Sequence, residues 1–355
     1  MEITILDVAK HAGVSTSTIT NVLHNRPNVG SETRKRVQQV INELGYIPNK
    51  FAQGLKEGRS VIGGRKLTNN IGCVIFKGYN KFRDLSSAAV MESIESESRL
   101  NDYHVYFFNS VDELKKNDKL FNKLINDDNI DGLITIATQL EGIGETIKKR
   151  IKNIVSVSEP LGDNNEYDCI LFDDYSASYD AVRYLAGLGH KRIASIISSD
   201  RAQRLLGYRQ AVSDFKLDKD ENLLEVIGLN PGTFSNDIDY SGFGFRLTKK
   251  ILAQSPRPSA ILVSDAEACS GVIKAISESG LKVPDDISII TIGSSDLIGD
   301  VSPDITTMIV NKPEVGSLAV RRLLERIKTP AMLESIKISV PFRILERKST
   351  MRIPR

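Results

Sequence analysis

Thr4-Ile5-Leu6-Asp7-Val8-Ala9-Lys10-His11-Ala12-Gly13-Val14-Ser15-Thr16-Ser17-Thr18-Ile19-Thr20-Asn21-Val22-Leu23 stands near the start of the 355-residue chain, and its spacing decides what is built there. Thr4 and Asp7 form a capping-box pattern, a hydroxyl and a carboxylate placed to satisfy the free amides of a helix start. Ile5, Val8, Ala9 and Ala12 follow at i, i+3, i+4 and i+7, a one-sided helical stripe. Gly13 ends that helix, and Ser15 is a good N-cap for a second one whose inward positions are Ile19, Val22 and Leu23. A third helix is predicted after Ser31, with Val37, Val40, Ile41 and Leu44 on one face, stopping at Gly45 before Pro48. Two short helices on a tight glycine turn, with a third to close the core, make a helix-turn-helix, whose second helix enters the DNA major groove. Thr16, Ser17, Thr20, Asn21 and His24 face outward there. Asparagine pairs with adenine through two hydrogen bonds, and Ser and Thr reach base edges or phosphates. Any one of these residues is as well explained as a cap or a solvated position; the assembly is what points to DNA.

The charge distribution agrees. The first 66 residues carry ten Lys or Arg against five Asp or Glu, a balance of +5, and the remainder carries 37 against 40, so the overall +2 conceals a basic first fifth. Positive charge gathered on a small unit is the footprint of a polyanionic partner. The chain exceeds the size at which a single core stops growing, so two or three folding units are expected. With 41% hydrophobic and 26% charged residues its composition is that of an ordinary globular protein. No apolar run is long enough to span a bilayer and Met1 to Lys10 does not read as a signal peptide, so a cytoplasmic protein with no membrane association is expected. Cys73, Cys169 and Cys269 are odd in number and far apart, and the four histidines are scattered; neither a disulfide framework nor a metal site is expected, and no cofactor is implied.

From Ile71 onward short β-branched runs alternate with helical segments. Strands are predicted at 71–76, 103–108, 130–136, 153–158, 168–172, 192–198, 223–228, 259–263 and 287–292, with helical stretches such as 84–100 and 175–188 between them. That is the signature of doubly wound parallel sheets, and so many strands suggest two sheets side by side, with a ligand cleft where strand ends from both meet. The predicted class is therefore α/β, a helical headpiece followed by a two-lobed core.

The run Asp7-Val8-Ala9-Lys10-His11-Ala12-Gly13-Val14-Ser15, with Thr33-Arg34 and Gly45-Tyr46-Ile47-Pro48-Asn49, resembles the headpiece of the lactose-repressor/galactose-repressor family of bacterial transcription regulators. Tyr184-Leu185-Ala186-Gly187-Leu188-Gly189-His190-Lys191-Arg192-Ile193-Ala194, Arg204-Leu205-Leu206-Gly207-Tyr208 and Arg257-Pro258-Ser259-Ala260-Ile261 are similar to the family's periplasmic-binding-protein-like core. The resemblance implies a helix-turn-helix headpiece at 1–48 that reads operator bases from Thr16, Ser17 and Asn21. It implies a hinge helix at 49–58, ordered only in a homodimer on a near-palindromic double-stranded operator, with Ala52 and Leu55 in the minor groove and Leu55 as the wedge that kinks the duplex. Residues 59–70 read as a Gly-containing basic linker, able to extend up to ~40 Å, or to add a strand. The implied lobes are 71–173 with 304–330, and 174–303 with 331–355, with Val340 to Glu346 adding a strand to the second lobe. The segment Ile344 to Thr350 is followed by no leucine heptad, so a dimer without an added coiled coil is expected.

Arg204 matches the arginine that family members aim at an effector. The family's usual Asn-Asp corresponds here to Ser264-Asp265, and its Gly-aromatic-Asp-Asp to Gly293-Ser294-Ser295-Asp296. Phe76 and Tyr79 are candidates for an aromatic platform. A retained arginine beside the shortened Ser264 and Ser295, with Asp265 and Asp296, favours a carbohydrate-related effector that carries its own negative charge, although the two aspartates are equally suited to balance Arg204 as packing partners. A core that answers to a protein partner instead is the alternative. No P-loop, zinc-protease or nucleophile-elbow motif is present, and Asp127-Asp128, Asp173-Asp174 and Asp285-Asp286 are more simply turn and cap residues, so no enzymatic activity is expected.

Overall fold

In the computed structural model the described residues are 5–23, 29–44, 61–62, 65–75, 85–126, 129–161, 166–228, 238–293, 302–329 and 334–353. They fall into two units, Met1–Leu67 and Thr68–Arg355. In the first unit three helices, α1 (Ile5–Ala12), α2 (Thr16–Leu23) and α3 (Ser31–Leu44), bury Val8, Ala9, Ala12, Ile19, Val22, Val37 and Ile41 in one core. Gly13 makes the turn between α1 and α2 at φ +64°, a left-handed conformation that glycine adopts without strain. The Thr4 cap and the predicted hinge at 49–58 lie outside the described residues. The 59–70 stretch, read as a basic linker able to add a strand, contains a small antiparallel ladder, β1 (Val61–Ile62) and β2 (Arg65–Lys66), with Val61 opposite Lys66 and Ile62 opposite Arg65. Gly63-Gly64 separates the two short strands in sequence, a pair that suits a hairpin.

The second unit holds two six-stranded sheets. The first sheet runs β4 (His104–Ser110), β3 (Asn70–Ile75), β5 (Gly132–Ile136), β6 (Ile154–Val157), β7 (Asp168–Phe172) and β13 (Lys337–Val340) from edge to edge, all parallel. The second runs β9 (Leu224–Ile227), β8 (Ile193–Ser198), β10 (Ala260–Val263), β11 (Ser288–Ile292), β12 (Thr306–Val310) and β14 (Phe342–Leu345), with β14 alone antiparallel. The interior strands are buried along almost their whole length, which is why Ile, Val and Leu fill them without alternation.

In the first lobe α4 (Leu85–Leu100) packs against α12 (Lys312–Lys328) on one face of the sheet. The other face is covered by a cluster that includes Val111, Leu114, Leu124, Ile147 and Ile151, from α5 (Val111–Lys116), α6 (Asp118–Ile125) and the segment around α7 (Gly144–Arg150). In the second lobe α8 (Asp174–Gly187) and α9 (Ala202–Asp214) cover one face, and α10 (Tyr240–Leu252) and α11 (Cys269–Glu278) the other. Gly207 sets the approach of α9 to α8: a Cβ there would lie 2.1 Å from the Tyr175 carbonyl oxygen.

The chain passes between lobes three times, and two of the passages differ from the sequence expectation. The first follows β7 at Asp173. The return was expected near Pro303, yet Thr306–Val310 continues the second sheet beside β11, and the chain leaves only at Asn311, where Pro313 opens α12. The β-branched run Thr306-Thr307-Met308-Ile309-Val310 is a strand signal in its own right, hidden by taking the proline as the break. The last passage was expected near Ala331, but Lys337–Val340 still pairs with β7 in the first sheet, and Pro341 alone separates it from β14 in the second. A proline, which has no amide hydrogen for either ladder, fits the residue where the chain changes sheets.

Candidate DNA-reading helix and ligand site

Helix α2 is capped as its sequence demands. The Ser15 hydroxyl accepts from the Thr18 amide at 3.2 Å and lies 2.7 and 2.9 Å from the Ser17 and Thr18 hydroxyls. Ile19 and Val22 point into the core, Ser17 is exposed, and Thr16 and Asn21 are partly exposed on the outer side. Thr20 donates its hydroxyl proton to the Thr16 carbonyl at 2.9 Å, so only its acceptor capacity is left for a base or phosphate. Arg34 of α3 donates to the Val22 carbonyl at 3.5 Å, a cap on the last turn of α2 that fixes the two helices together. His24, Ala52 and Leu55 lie outside the described residues.

In the core, strand order β9-β8-β10-β11-β12 reverses direction between β8 and β10, and ligands of open α/β sheets bind where the carboxyl ends of such strands diverge. Ser198 ends β8, and Ser264 and Asp265 follow β10. Asp265 is 5% exposed. One of its oxygens, Oδ2, accepts from the Ser198 hydroxyl at 2.7 Å and from the Ser264 hydroxyl; the other, Oδ1, lies 3.6 Å from Arg201 Nε and 3.8 Å from an Arg204 nitrogen. Burial alone would raise the Asp265 carboxyl, but the charges of Arg201 and Arg204 and the two serine hydroxyls hold it below the usual carboxylate range. Glu267 answers the same surroundings in the opposite sense: water reaches it, protein nonetheless surrounds it, and desolvation with the nearby Asp265 charge raises its pKa.

Arg204 is not an unpartnered arginine. Its Nε donates to Asp174 Oδ1 at 2.7 Å and an Nη to the Ser264 carbonyl, and its side chain is 10% exposed. Asp173 caps α8 by accepting from the Ser176 amide, which brings the next residue, Asp174, to face α9. The premise that this arginine needs an anionic ligand for a partner is therefore not met. Ser264 likewise spends its hydroxyl inside the cluster. Arg201 stands three residues before Arg204 and beside Asp200, and nothing in that local pattern marks it as a member of the cluster. Phe76, Tyr79, Ser295 and Asp296 lie outside the described residues, so the cluster is formed here by Arg201, Arg204, Ser198, Ser264, Asp265 and Asp174. A separate cavity lined by Tyr208, Arg209, Asp218 and Glu221 opens toward the amino-terminal ends of the strands, where Tyr208 donates to the Ile193 carbonyl; that is the wrong end of the sheet for a ligand of this fold.

A helix-turn-helix with a hydrogen-bonding outer face, in one chain with a two-sheet core whose polar cluster sits at a topological switch point, defines a DNA-binding transcriptional regulator. Residues 4–49 match the model of the bacterial regulatory proteins of the lacI family, and residues 182–350 that of the periplasmic binding protein-like domain. The chain is 31% identical over 332 residues to the HTH-type transcriptional repressor PurR of Aliivibrio fischeri (strain ATCC 700601 / ES114), covering 92% of each. It is 29% identical over 358 residues to catabolite control protein A of Priestia megaterium, covering 99% of this chain and all of that one. Among solved structures, the lac repressor dimer bound to operator and an anti-inducer shares the fold with a TM-score of 0.74 at 23% identity, over 99% of this chain and 100% of that one. The chain belongs to the lacI family; it is a transcription regulator and not an enzyme.

Proposed function

We propose that the protein is a repressor acting as a homodimer in the cytoplasm on a near-palindromic double-stranded operator, and that a carbohydrate-related small molecule in the cleft of the core controls its affinity for DNA. The observation that carries this reading is the joining of α2, with Ser17 exposed and Thr16 and Asn21 on its outer side, to a core whose buried charge cluster lies at the ligand-binding end of the second sheet. Paired helix-turn-helix units read paired half-sites, which supports the dimer, as does the segment 49–58, too short to hold as an isolated helix. Several related proteins support the effector class: one is a ribose operon repressor of Haemophilus influenzae, and the solved relatives include a cellobiose complex and a family member with bound ribose. Among the described residues no helix is long and apolar enough to cross a membrane, which agrees with the location proposed. Ala52 and Leu55 are assigned to the minor groove, and His24, Phe76, Tyr79, Ser295 and Asp296 keep the roles the resemblance implies.

Selection of binding sites from random duplexes by the full-length protein supplies an operator on which Asn21→Ala is measured. The variant loses discrimination at one base pair, of order 1–3 kcal/mol, and keeps the salt-dependent affinity that phosphate contacts provide. Equal weakening on the selected and on random DNA removes Asn21 from base reading. Failure of selection to yield any preferred sequence overturns the function itself.

A further inference from the structure

Resting on the reading of the chain as an operator-binding regulator, we propose that the ribbon of β1 and β2 is a second DNA-binding element, in which Arg65 and Lys66 neutralise backbone phosphates while α2 reads the bases. The distribution of charge points there first. Residues 1–48, which contain the helix-turn-helix, carry five Lys or Arg against four Asp or Glu, close to balance. Residues 49–66 carry five, Lys50, Lys56, Arg59, Arg65 and Lys66, against Glu57 alone, and no further acid stands before Asp84. The positive charge of the first unit therefore lies almost wholly past the helix-turn-helix. Phosphate contacts supply much of the affinity of a DNA-binding protein, and base contacts its specificity. A headpiece so nearly neutral leaves most of that first task to the residues that follow it.

The ladder gives two of these cations a form that an extended linker would not. Val61 stands opposite Lys66 and Ile62 opposite Arg65, an antiparallel pairing with two residues on each side. A two-stranded ribbon of this length is not stable by itself in water, so its order calls for a partner. Such ribbons are among the few protein elements narrow enough for a DNA groove. Gly63-Gly64 stands between the strands in sequence, a pair with no side chain to hold a phosphate backbone away. Beyond the ribbon the chain is firmly held. In the second unit the two oxygens of the Asp131 carboxylate accept from the Thr68 amide at 2.8 and 3.0 Å, and one of them from the Asn69 amide at 2.7 Å. Lys66 is thus two residues from a fixed point of the core. A cation on so short a tether meets DNA bound by the same chain at a high effective concentration.

Equilibrium binding of the full-length protein to its selected operator and to a random duplex of equal length, over a range of potassium chloride concentrations, tests it. Each phosphate contact steepens the fall of log affinity with log salt by about 0.9, so Arg65→Ala with Lys66→Ala should make the slope shallower by about 1.8 on both duplexes. The preference among base pairs and the melting temperature should stay those of the parent. Arg65→Lys with Lys66→Arg should keep the parental slope. A matched loss of charge in the core, Lys149→Ala with Arg150→Ala at exposed positions of α7, should leave the slope as it was. An unchanged slope in the ribbon variant, or an equal change in the α7 variant, overturns the proposal. A lower melting temperature or a lost base preference in the ribbon variant makes the ribbon part of the fold and overturns it too. If the parent shows no preferred sequence and the slope still falls in the ribbon variant, the operator reading goes and this inference stands.

Discussion

Each lobe buries an aspartate among arginines, and the two clusters differ in where they stand and in whether they are complete. In the first lobe Asp168, at the start of β7, has no exposed surface; it accepts from Arg322 Nε at 2.8 Å, from Arg326, and from the Ile336 amide at 2.7 Å. Arg322 and Arg326 spend further donors on Glu325, the Glu334 carbonyl and Ser335. The cluster pins α12 and the approach to β13 onto the edge of the sheet. In the second lobe Asp265 follows the end of β10, and there one arginine nitrogen is buried without a hydrogen-bond partner among the described residues. The chemistry is the same. What differs is the end of the strand: at the amino-terminal end charges are used up in holding the fold, and at the carboxyl-terminal end something is left over for a ligand.

The strongest challenge to this contrast is Asp168→Ala. It strands two largely buried guanidinium groups and should cost about 3–5 kcal/mol, lowering the melting temperature of the core by roughly 10 °C. A melting curve indistinguishable from that of the parent would mean that the first cluster is not structural after all. Acid titration sharpens the same point. Burial would raise the Asp168 carboxyl, but hydrogen bonds from Arg326 and Arg322 hold it below the ordinary carboxylate range. A depressed folded-state pKa contributes stability that is complete above the unfolded value of about 3.9 and is lost as pH falls through the folded value. The parent should therefore lose stability steeply below about pH 4, and Asp168→Ala, already lacking that contribution, should lose less over the same interval in denaturant melts.

The smallest effect concerns Glu267 beside the incomplete cluster. Its pKa is raised, chiefly by desolvation and then by the Asp265 charge, so its contribution has the opposite sign: complete below the unfolded value, lost as pH rises through the folded one. Glu267→Gln should melt slightly higher than the parent near neutral pH and equally near pH 4. A variant that melts lower at neutral pH would show the carboxylate to be a net stabiliser and weaken the picture of a ligand face kept under electrostatic tension.

The parts of this architecture that the sequence makes legible are those in which one local pattern suffices. Ile19 and Val22 at helical spacing, Ser15 at a cap and the buried runs of β3 and β5 each declare themselves within a few residues. The passages between lobes do not, because β12, β13 and β14 are assigned to a sheet by partners far along the chain. Asp168 was read as part of a strand and not as a charge centre, since Arg322 and Arg326 join it only through α12. Arg204 was singled out by resemblance, which marks a position and says nothing of its neighbours; that Asp174 would occupy it depends on the close approach of α8 and α9 at Gly207. Arg201 joins the cluster only through the fold, which sets it against Asp265 and Asp200.

The exchange of strands at Pro341 reaches beyond the finished molecule to its making. As the ribosome delivers the chain, β7 is complete long before Lys337–Val340 exists to cover its outer side, and β12 waits in the same way for Phe342–Leu345. Until those residues emerge β7 and β12 are themselves edge strands, and an unpaired edge readily recruits a neighbouring chain. The short strands β13 and β14 take over as edges almost together, within the few residues on either side of one proline. The two sheets receive β13 and β14 one directly after the other, so their outer strands are completed together.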